Sequence, residues 1–115
     1  MLCGEVIAGA RIGRILGFPT ANINKDPKDS GLEQGVYAAI VVLKKKKYHG
    51  ALIINTRHNK VEVYIIDFFG DIYGERIAID PQEKVSDLVS CSSKKEMKEK
   101  IAADIEKVKN FFKKK

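Results

Sequence analysis

The sequence predicts a mainly β domain, an antiparallel barrel or sandwich, that ends in one α-helix. Two observations lead to this fold class. Five short runs rich in β-branched and aromatic residues are separated by turn residues, and the end of the chain changes to a helical period. Runs of this kind favour antiparallel pairing over alternating strands and helices. The predicted strands are residues 3–8, 35–43, 47–55, 61–68 and 75–79.

The C-terminal segment carries the helix signal. Apolar residues recur every three or four positions and form one stripe: Met97, Ile101, Ile105, Val108 and Phe112. Ser93 and Glu96 have the spacing of a capping box, in which the serine oxygen accepts the Glu96 amide and the carboxylate reaches back. We therefore expect the helix to begin near Ser93. The simplest role for its stripe is to close the open end of a barrel as part of the core.

Size and charge set the limits of what the chain can be. Its 115 residues fit one domain, 1–115, and a hydrophobic content of 44% argues against disorder. The net charge of +6 attracts polyanions, which include nucleotides, RNA and acidic membranes. The lysine run 44–47 lies between two predicted strands, and we interpret it as a solvated hairpin tip.

The cysteines and histidines form no metal motif. Cys3 and Cys91 have no CxxC spacing, and His49 and His58 are widely separated from them. Two reduced thiols are typical of an intracellular protein. The sequence also contains no apolar run of about 20 residues that could span a bilayer and no secretory signal. We therefore expect a cytoplasmic protein.

The connection 9–34 is the part of the sequence that most favours a function. Long loops in small domains are often functional, and this one is rich in glycine. Glycine lets backbone amides approach an anion, and Arg14 can supply positive charge. Thr20 and Asn22 offer hard oxygen atoms that suit Mg²⁺ held together with phosphates. From composition alone, a plain Gly/Pro loop remains at least as good an interpretation as a phosphate site.

Three ordered blocks resolve that ambiguity. Residues 13–23 read GRILGFPTANI, residues 35–38 read GVYA, and residues 61–68 read VEVYIIDF before GDIYG at 70–74. Together they resemble the riboflavin kinases, the ATP-dependent flavokinases. The resemblance covers almost the whole chain, and the match over residues 16–22 is highly specific.

The resemblance implies a closed six-stranded antiparallel barrel, Greek-key-like, with a C-terminal helix. It also implies transfer of the γ-phosphate of ATP to riboflavin, giving FMN and ADP. In this family the threonine and asparagine of the PTAN motif hold Mg²⁺ and phosphate, which points to Thr20 and Asn22, and the glutamate of the third block is the base, which points to Glu62. The positions implied to bind ATP and its phosphates are Gly9, Gly13, Arg14, Gly17 and Tyr73.

Glu62 also has a rationale of its own. It is an isolated carboxylate in an otherwise apolar strand, and a carboxylate can accept the proton of the ribityl 5′-hydroxyl. The competing interpretation is a glutamate that faces outward on an alternating strand. The resemblance favours the base. Asp67 and Asp71 are better interpreted as turn and edge residues.

The sequence departs from the family on the flavin side. An arginine and a phenylalanine that help to hold the flavin in the family correspond to Ser86 and Cys91 here, the segment 53–60 is shortened, and Tyr64 replaces a histidine. The flavin-binding residues therefore stay open, and the acceptor could be held weakly, held differently, or be another compound.

These departures leave a second class of function open, a degenerate barrel that binds nucleotide or flavin without turnover. Nucleic-acid binding is a distant third, because the lysine runs lack the interleaved aromatic residues that stack on bases. We expect a monomer that needs only small-molecule substrates and no membrane. Because no adenylyltransferase domain precedes Met1, we also expect that this chain alone does not make FAD.

Overall fold

The computed structural model describes residues 1–7, 20–68, 72 and 74–114. Within them, six antiparallel strands close into a barrel in the order β1-β2-β5-β4-β3-β6, and a C-terminal helix follows. The predicted fold class is therefore confirmed. The strands are β1 (Leu2–Ile7), β2 (Ala21–Ile23), β3 (Gly35–Leu43), β4 (Lys46–Asn55), β5 (Lys60–Ile65) and β6 (Arg76–Ser86), and the helix is α1 (Lys94–Lys113).

Alternation along the strands produces two separate apolar clusters. On β3, Tyr37 and Val41 point into the barrel and belong to its buried interior, whereas Val36 and Ala38 point outward and belong to a second cluster that packs against α1. Both faces of this strand are buried because the barrel fills one side and the helix covers the other. This explains why the run 35–43 is apolar almost throughout.

The lysine run is a hairpin tip, as predicted. Leu43 pairs with Lys46, so Lys44 and Lys45 alone make the turn between β3 and β4. Both have positive φ angles, 50° and 68°, which is the geometry of a type I′ turn and matches the twist of the flanking strands. All four lysines are exposed.

Three strand predictions differ from the structure, the first because β5 ends at Ile65, three residues before the predicted end at 68. The three residues of β2 are too few to produce a period-2 signal, and composition placed them inside a long connection. At the other end, β6 continues to Ser86, seven residues beyond the predicted end at 79. It passes Pro81 through an irregular pairing with β3, where the register shifts between Ala38 and Ala39. A bulge of this kind accommodates a residue that has no amide hydrogen.

The predicted place of the helix was wrong. Helix α1 contacts β3, β4 and β6 along their outer face and does not close an end of the barrel. Ile105 and Val108 are buried against Val36, Ala38 and Ala51. The stripe was predicted correctly, but a stripe does not specify which apolar surface it covers.

The predicted start of α1 near Ser93 is confirmed. Ser93 is the N-cap, and its Oγ accepts a hydrogen bond from the Glu96 amide at 3.1 Å. The reciprocal bond differs from the predicted box, because Glu96 Oε2 accepts from the amide and the hydroxyl of Ser92, both at 3.0 Å. These bonds lower the pKa of the Glu96 carboxyl.

Helix α1 is far too polar to cross a lipid bilayer, and no other described helix is long enough to do so.

Candidate active site

Two strands that are far apart in sequence bring the predicted metal residues to the predicted base. Asn22 on β2 is the cross-strand partner of Glu62 on β5. Thr20 lies immediately before β2, and its Oγ1 donates a hydrogen bond to Glu62 Oε1 at 3.3 Å. Residues 42 positions apart thus form one polar group.

This polar group lies on the outside of the barrel. Along β5, Val61, Val63 and Ile65 fill the interior, so the alternate residue Glu62 points outward. Glu62 therefore faces outward, and this orientation is also compatible with a place in the site. Glu62 is only partly exposed, because the segment before α1 and the helix itself cover this face of the barrel.

A cavity of about 210 Å³ lies between that face and the helix. The barrel side supplies an apolar floor with Thr20 and Glu62 at one edge, and the other side is formed by the connection after β6 and by α1. The lining residues are Thr20, Val36, Ala51, Ile53, Glu62, Tyr64, Leu88, Val89, Cys91, Met97, Lys100, Ile101, Asp104 and Ile105. Most of this lining is apolar, which suits a large flat ring more than a charged ligand.

One row of residues runs along the floor from strand to strand. Asn22 pairs with Glu62, Glu62 with Ile53, Ile53 with Val36, and Val36 with Ser86. Neighbouring strands are about 4.8 Å apart, so the step from Glu62 to Ser86 along the sheet is about 14 Å. The row therefore has a polar end at β2 and β5, an apolar centre on β4 and β3, and a second polar end on β6.

The oxygen atoms at the β2 end fit a magnesium ion that is shared with phosphates. A hydroxyl, an amide carbonyl and a carboxylate are hard donors, and Mg²⁺ in phosphoryl-transfer sites takes few of its ligands from the protein. In the described part of the chain, no group of three or more His, Cys, Asp or Glu residues could hold a metal.

The predicted ATP-binding positions cannot be placed in the same way. Gly9, Gly13, Arg14, Gly17 and Tyr73 lie outside the described residues, and so does Asp71. Asp67 is described, and its φ of 59° places it in the turn that follows β5, as predicted.

The two positions that correspond to the family's flavin residues have different surroundings. Cys91 lines the cavity and is partly buried. Ser86 is the last residue of β6 and not part of the loop before the helix, and its Oγ accepts a hydrogen bond from Lys100 Nζ at 2.8 Å. A small residue at Ser86 thus leaves room for a lysine that comes from the helix.

Sequence reasoning missed the helix side of the cavity. Met97, Ile101 and Ile105 were assigned to the core alone, and Lys100 and Asp104 were not considered. The only signal was an aspartate set among apolar residues: Asp104 follows Ile101 by three positions and precedes Val108 by four. A carboxylate at that spacing shares the buried side of the helix.

Comparison with known proteins identifies the family of this chain. A model of the flavokinase family, described as riboflavin kinase, matches residues 1–112. The bifunctional riboflavin kinase/FMN adenylyltransferase of Buchnera aphidicola subsp. Schizaphis graminum is 38% identical over 120 residues, which cover 96% of this chain and 38% of that protein. The chain thus spans well under half the length of this curated relative.

Two solved structures share the fold. Riboflavin kinase from Trypanosoma brucei superposes with a TM-score of 0.70 and 25% identity, covering 98% of this chain and 79% of that one. A macrolide-efflux protein from Streptococcus pneumoniae superposes with a TM-score of 0.79 and 28% identity, covering 94% of this chain and 38% of that one. With the family match over nearly its whole length, this chain belongs to the flavokinase family of riboflavin kinase domains.

Proposed function

We propose that this chain transfers the γ-phosphoryl group of ATP to the ribityl 5′-hydroxyl of riboflavin, giving FMN and ADP. The observation that carries the proposal is the contact of Thr20 with Glu62 at the edge of an apolar cavity, in a member of the flavokinase family. The contact supplies a candidate base next to candidate metal ligands. The cavity supplies space for the acceptor.

Glu62 acts as the general base in this proposal. Its carboxylate accepts the proton of the 5′-hydroxyl as the hydroxyl oxygen bonds to the γ-phosphorus, while the bond from that phosphorus to the β,γ-bridging oxygen breaks and ADP leaves. Thr20 holds one carboxylate oxygen through its hydroxyl. This fixes the side chain and leaves the other oxygen for the acceptor.

Thr20 and Asn22 would hold Mg²⁺ through the threonine hydroxyl and the amide carbonyl. The bound ion would neutralise phosphate charge. Asn22 is 8% exposed, and its backbone is fixed by pairing on both sides, with Ile7 on β1 and Glu62 on β5. A ligand held in this way loses little conformational entropy when it binds the ion.

The apolar centre of the cavity takes the isoalloxazine ring. Val36, Ile53 and Tyr64 lie on the barrel side, and Met97 and Ile101 lie opposite them on α1. Stacking and burial between these two surfaces can replace the arginine and phenylalanine that the family uses before its helix. Gly9, Gly13, Arg14, Gly17 and Tyr73 remain the proposed contacts of ATP.

The test is product formation by the purified chain with ATP, Mg²⁺ and riboflavin, followed by chromatography that separates FMN from riboflavin. We expect FMN and ADP in equal amounts. Circular dichroism should show a folded protein in the same preparation. A folded protein that binds riboflavin and ATP but makes no FMN would establish the degenerate binding module instead.

The state and location of the protein belong to the same proposal. We propose a monomer in the cytoplasm, where both substrates are present. Sedimentation velocity of the purified chain should give a single species of 12.9 kDa.

A further inference from the structure

A buried carboxylate on α1 has one oxygen without a partner. Asp104 is 6% exposed and lines the cavity. In the part of the chain that the structure describes, its Oδ1 is the one buried side-chain nitrogen or oxygen atom that makes no hydrogen bond. Burying a charged oxygen unpaired is costly, and native proteins usually satisfy such atoms. Because Asp104 also contributes to the wall of the cavity, its unpartnered oxygen points to a donor on a bound ligand.

Lys100 fixes the carboxylate in place. Its ammonium donates to Asp104 Oδ2 at 2.5 Å and to Ser86 Oγ at 2.8 Å. The pair therefore joins one turn of α1 to the end of β6. Of the three donors on an ammonium group, these contacts use two. The pair thus has one acceptor oxygen and one ammonium hydrogen that are not used by these contacts.

The position of this pair matches the polar row on the floor. Ser86, which anchors Lys100, lies about 14 Å from Glu62 along the sheet, with Val36 and Ile53 between them. The ribityl chain is attached to the central ring of the tricycle, so an extended chain and half of the ring together span somewhat less than this backbone separation, and the side chains of Glu62 and Lys100 shorten the gap from both ends. With the terminal hydroxyl of the chain at Glu62, the pyrimidine end of the ring, its far edge in this pose, would reach the Lys100–Asp104 pair.

The chemistry of the far edge is complementary to the pair. In the isoalloxazine ring that edge is an imide, an N–H donor between two carbonyl acceptors. A ribityl hydroxyl would need no charged partner, and an apolar edge would leave Asp104 unpaired. The carboxylate can accept from the imide N–H, and the ammonium group can donate to the neighbouring carbonyl oxygen.

Building on the proposed function, we propose that Asp104 and Lys100 recognise the imide edge of the flavin ring. Asp104 Oδ1 accepts the hydrogen of N3–H, and Lys100 donates to the neighbouring carbonyl oxygen.

The test compares riboflavin with 3-methylriboflavin, which lacks the N3–H donor. Binding is measured without ATP by quenching of flavin fluorescence, and turnover is measured separately as phosphorylated product. Because a buried acceptor would stay unpaired, we expect the unaltered protein to bind the methyl analogue at least about 100-fold more weakly. The Asp104→Ala variant should bind riboflavin more weakly than the unaltered protein does. Its preference for riboflavin over 3-methylriboflavin should fall below about tenfold.

Glu106→Ala is the matched control, since Glu106 is an exposed acidic residue on the same helix, two positions away. It should bind both flavins like the unaltered protein. If the unaltered protein makes FMN yet binds the two flavins equally well, the inference is overturned and the proposed function stands. If it prefers riboflavin but makes no FMN, the proposed function fails and the recognition stands. The analogue comparison needs no variant, so it remains decisive even if Asp104→Ala does not fold.

Discussion

Thr20 Oγ1 lies 3.3 Å from Glu62 Oε1, although 42 residues separate the two. The contact exists because β2 pairs with β5 and not with its neighbour in sequence, β3. It joins the glycine-rich connection to the strand of the third family block.

Replacing Glu62 with glutamine should remove turnover and spare binding. The amide keeps the size of the side chain but cannot accept a proton, so we expect FMN formation to fall by about 10²- to 10⁴-fold. The riboflavin affinity in fluorescence quenching should change by less than about threefold, because the ring is bound elsewhere in the cavity. A variant that turns over normally would exclude Glu62 as the base.

Replacing Thr20 with valine tests the hydroxyl that bonds Glu62. Valine has the same shape without the donor, so we expect kcat to fall and the Mg²⁺ requirement to rise, each by about 10- to 100-fold. Thr20→Ser restores the hydroxyl and should recover most of the activity. Titrating Mg²⁺ at fixed ATP separates a metal effect from an effect on the base. Equal loss in the serine and valine variants would indicate packing instead of the hydroxyl.

The Ser93 cap should contribute measurably to the free energy of unfolding. Ser93→Ala removes the bond to the Glu96 amide, and we expect the free energy of unfolding in urea to fall by about 1 kcal/mol. Ser93→Asp keeps a side-chain acceptor at the N-cap and should lose little or nothing. Because α1 covers the cavity, the alanine variant should also bind riboflavin more weakly. Unchanged stability would show that the helix start is held by packing alone.

The pair of Lys84 with Asp87 should make stability depend on pH. Lys84 Nζ lies 2.7 Å from Asp87 Oδ1 and 2.8 Å from Glu33 Oε1. The hydrogen bond from Lys84 lowers the pKa of Asp87. A carboxyl whose pKa is lowered by folding stabilises the folded state at every pH above its ordinary pKa. That contribution is lost as the pH falls through the lowered pKa.

We therefore expect Asp87→Asn to lower Tm at neutral pH, and the two proteins to converge well below the ordinary aspartate value of about 3.9. Thermal unfolding followed by circular dichroism between pH 2 and 7 checks this. Asp87 is exposed and Lys84 is partly exposed, so added salt should reduce the difference at neutral pH. A difference that stays constant down to the lowest pH would contradict the assignment.

Most of the local structure could be predicted from the sequence. The ends of β3 were predicted to the residue and the helix was predicted to begin near Ser93, because a two-sided apolar run and a cap are local signals. The short strand β2 gave no local signal. Strand β6 continues past Pro81, although a proline is a local signal for the end of a strand. In both cases pairing with a distant strand overrode local preference.

The sequence by itself determined the family, the fold class, and the identity of Thr20, Asn22 and Glu62 as candidates. Tertiary structure decided that these residues face outward, because alternation on β5 fills the interior with valine and isoleucine. It also decided that α1 lies over them, and that Lys100 and Asp104 line the same cavity as Glu62. A helical stripe records which side of a helix is buried, but only the packed molecule specifies what that side covers and which polar atoms it leaves open.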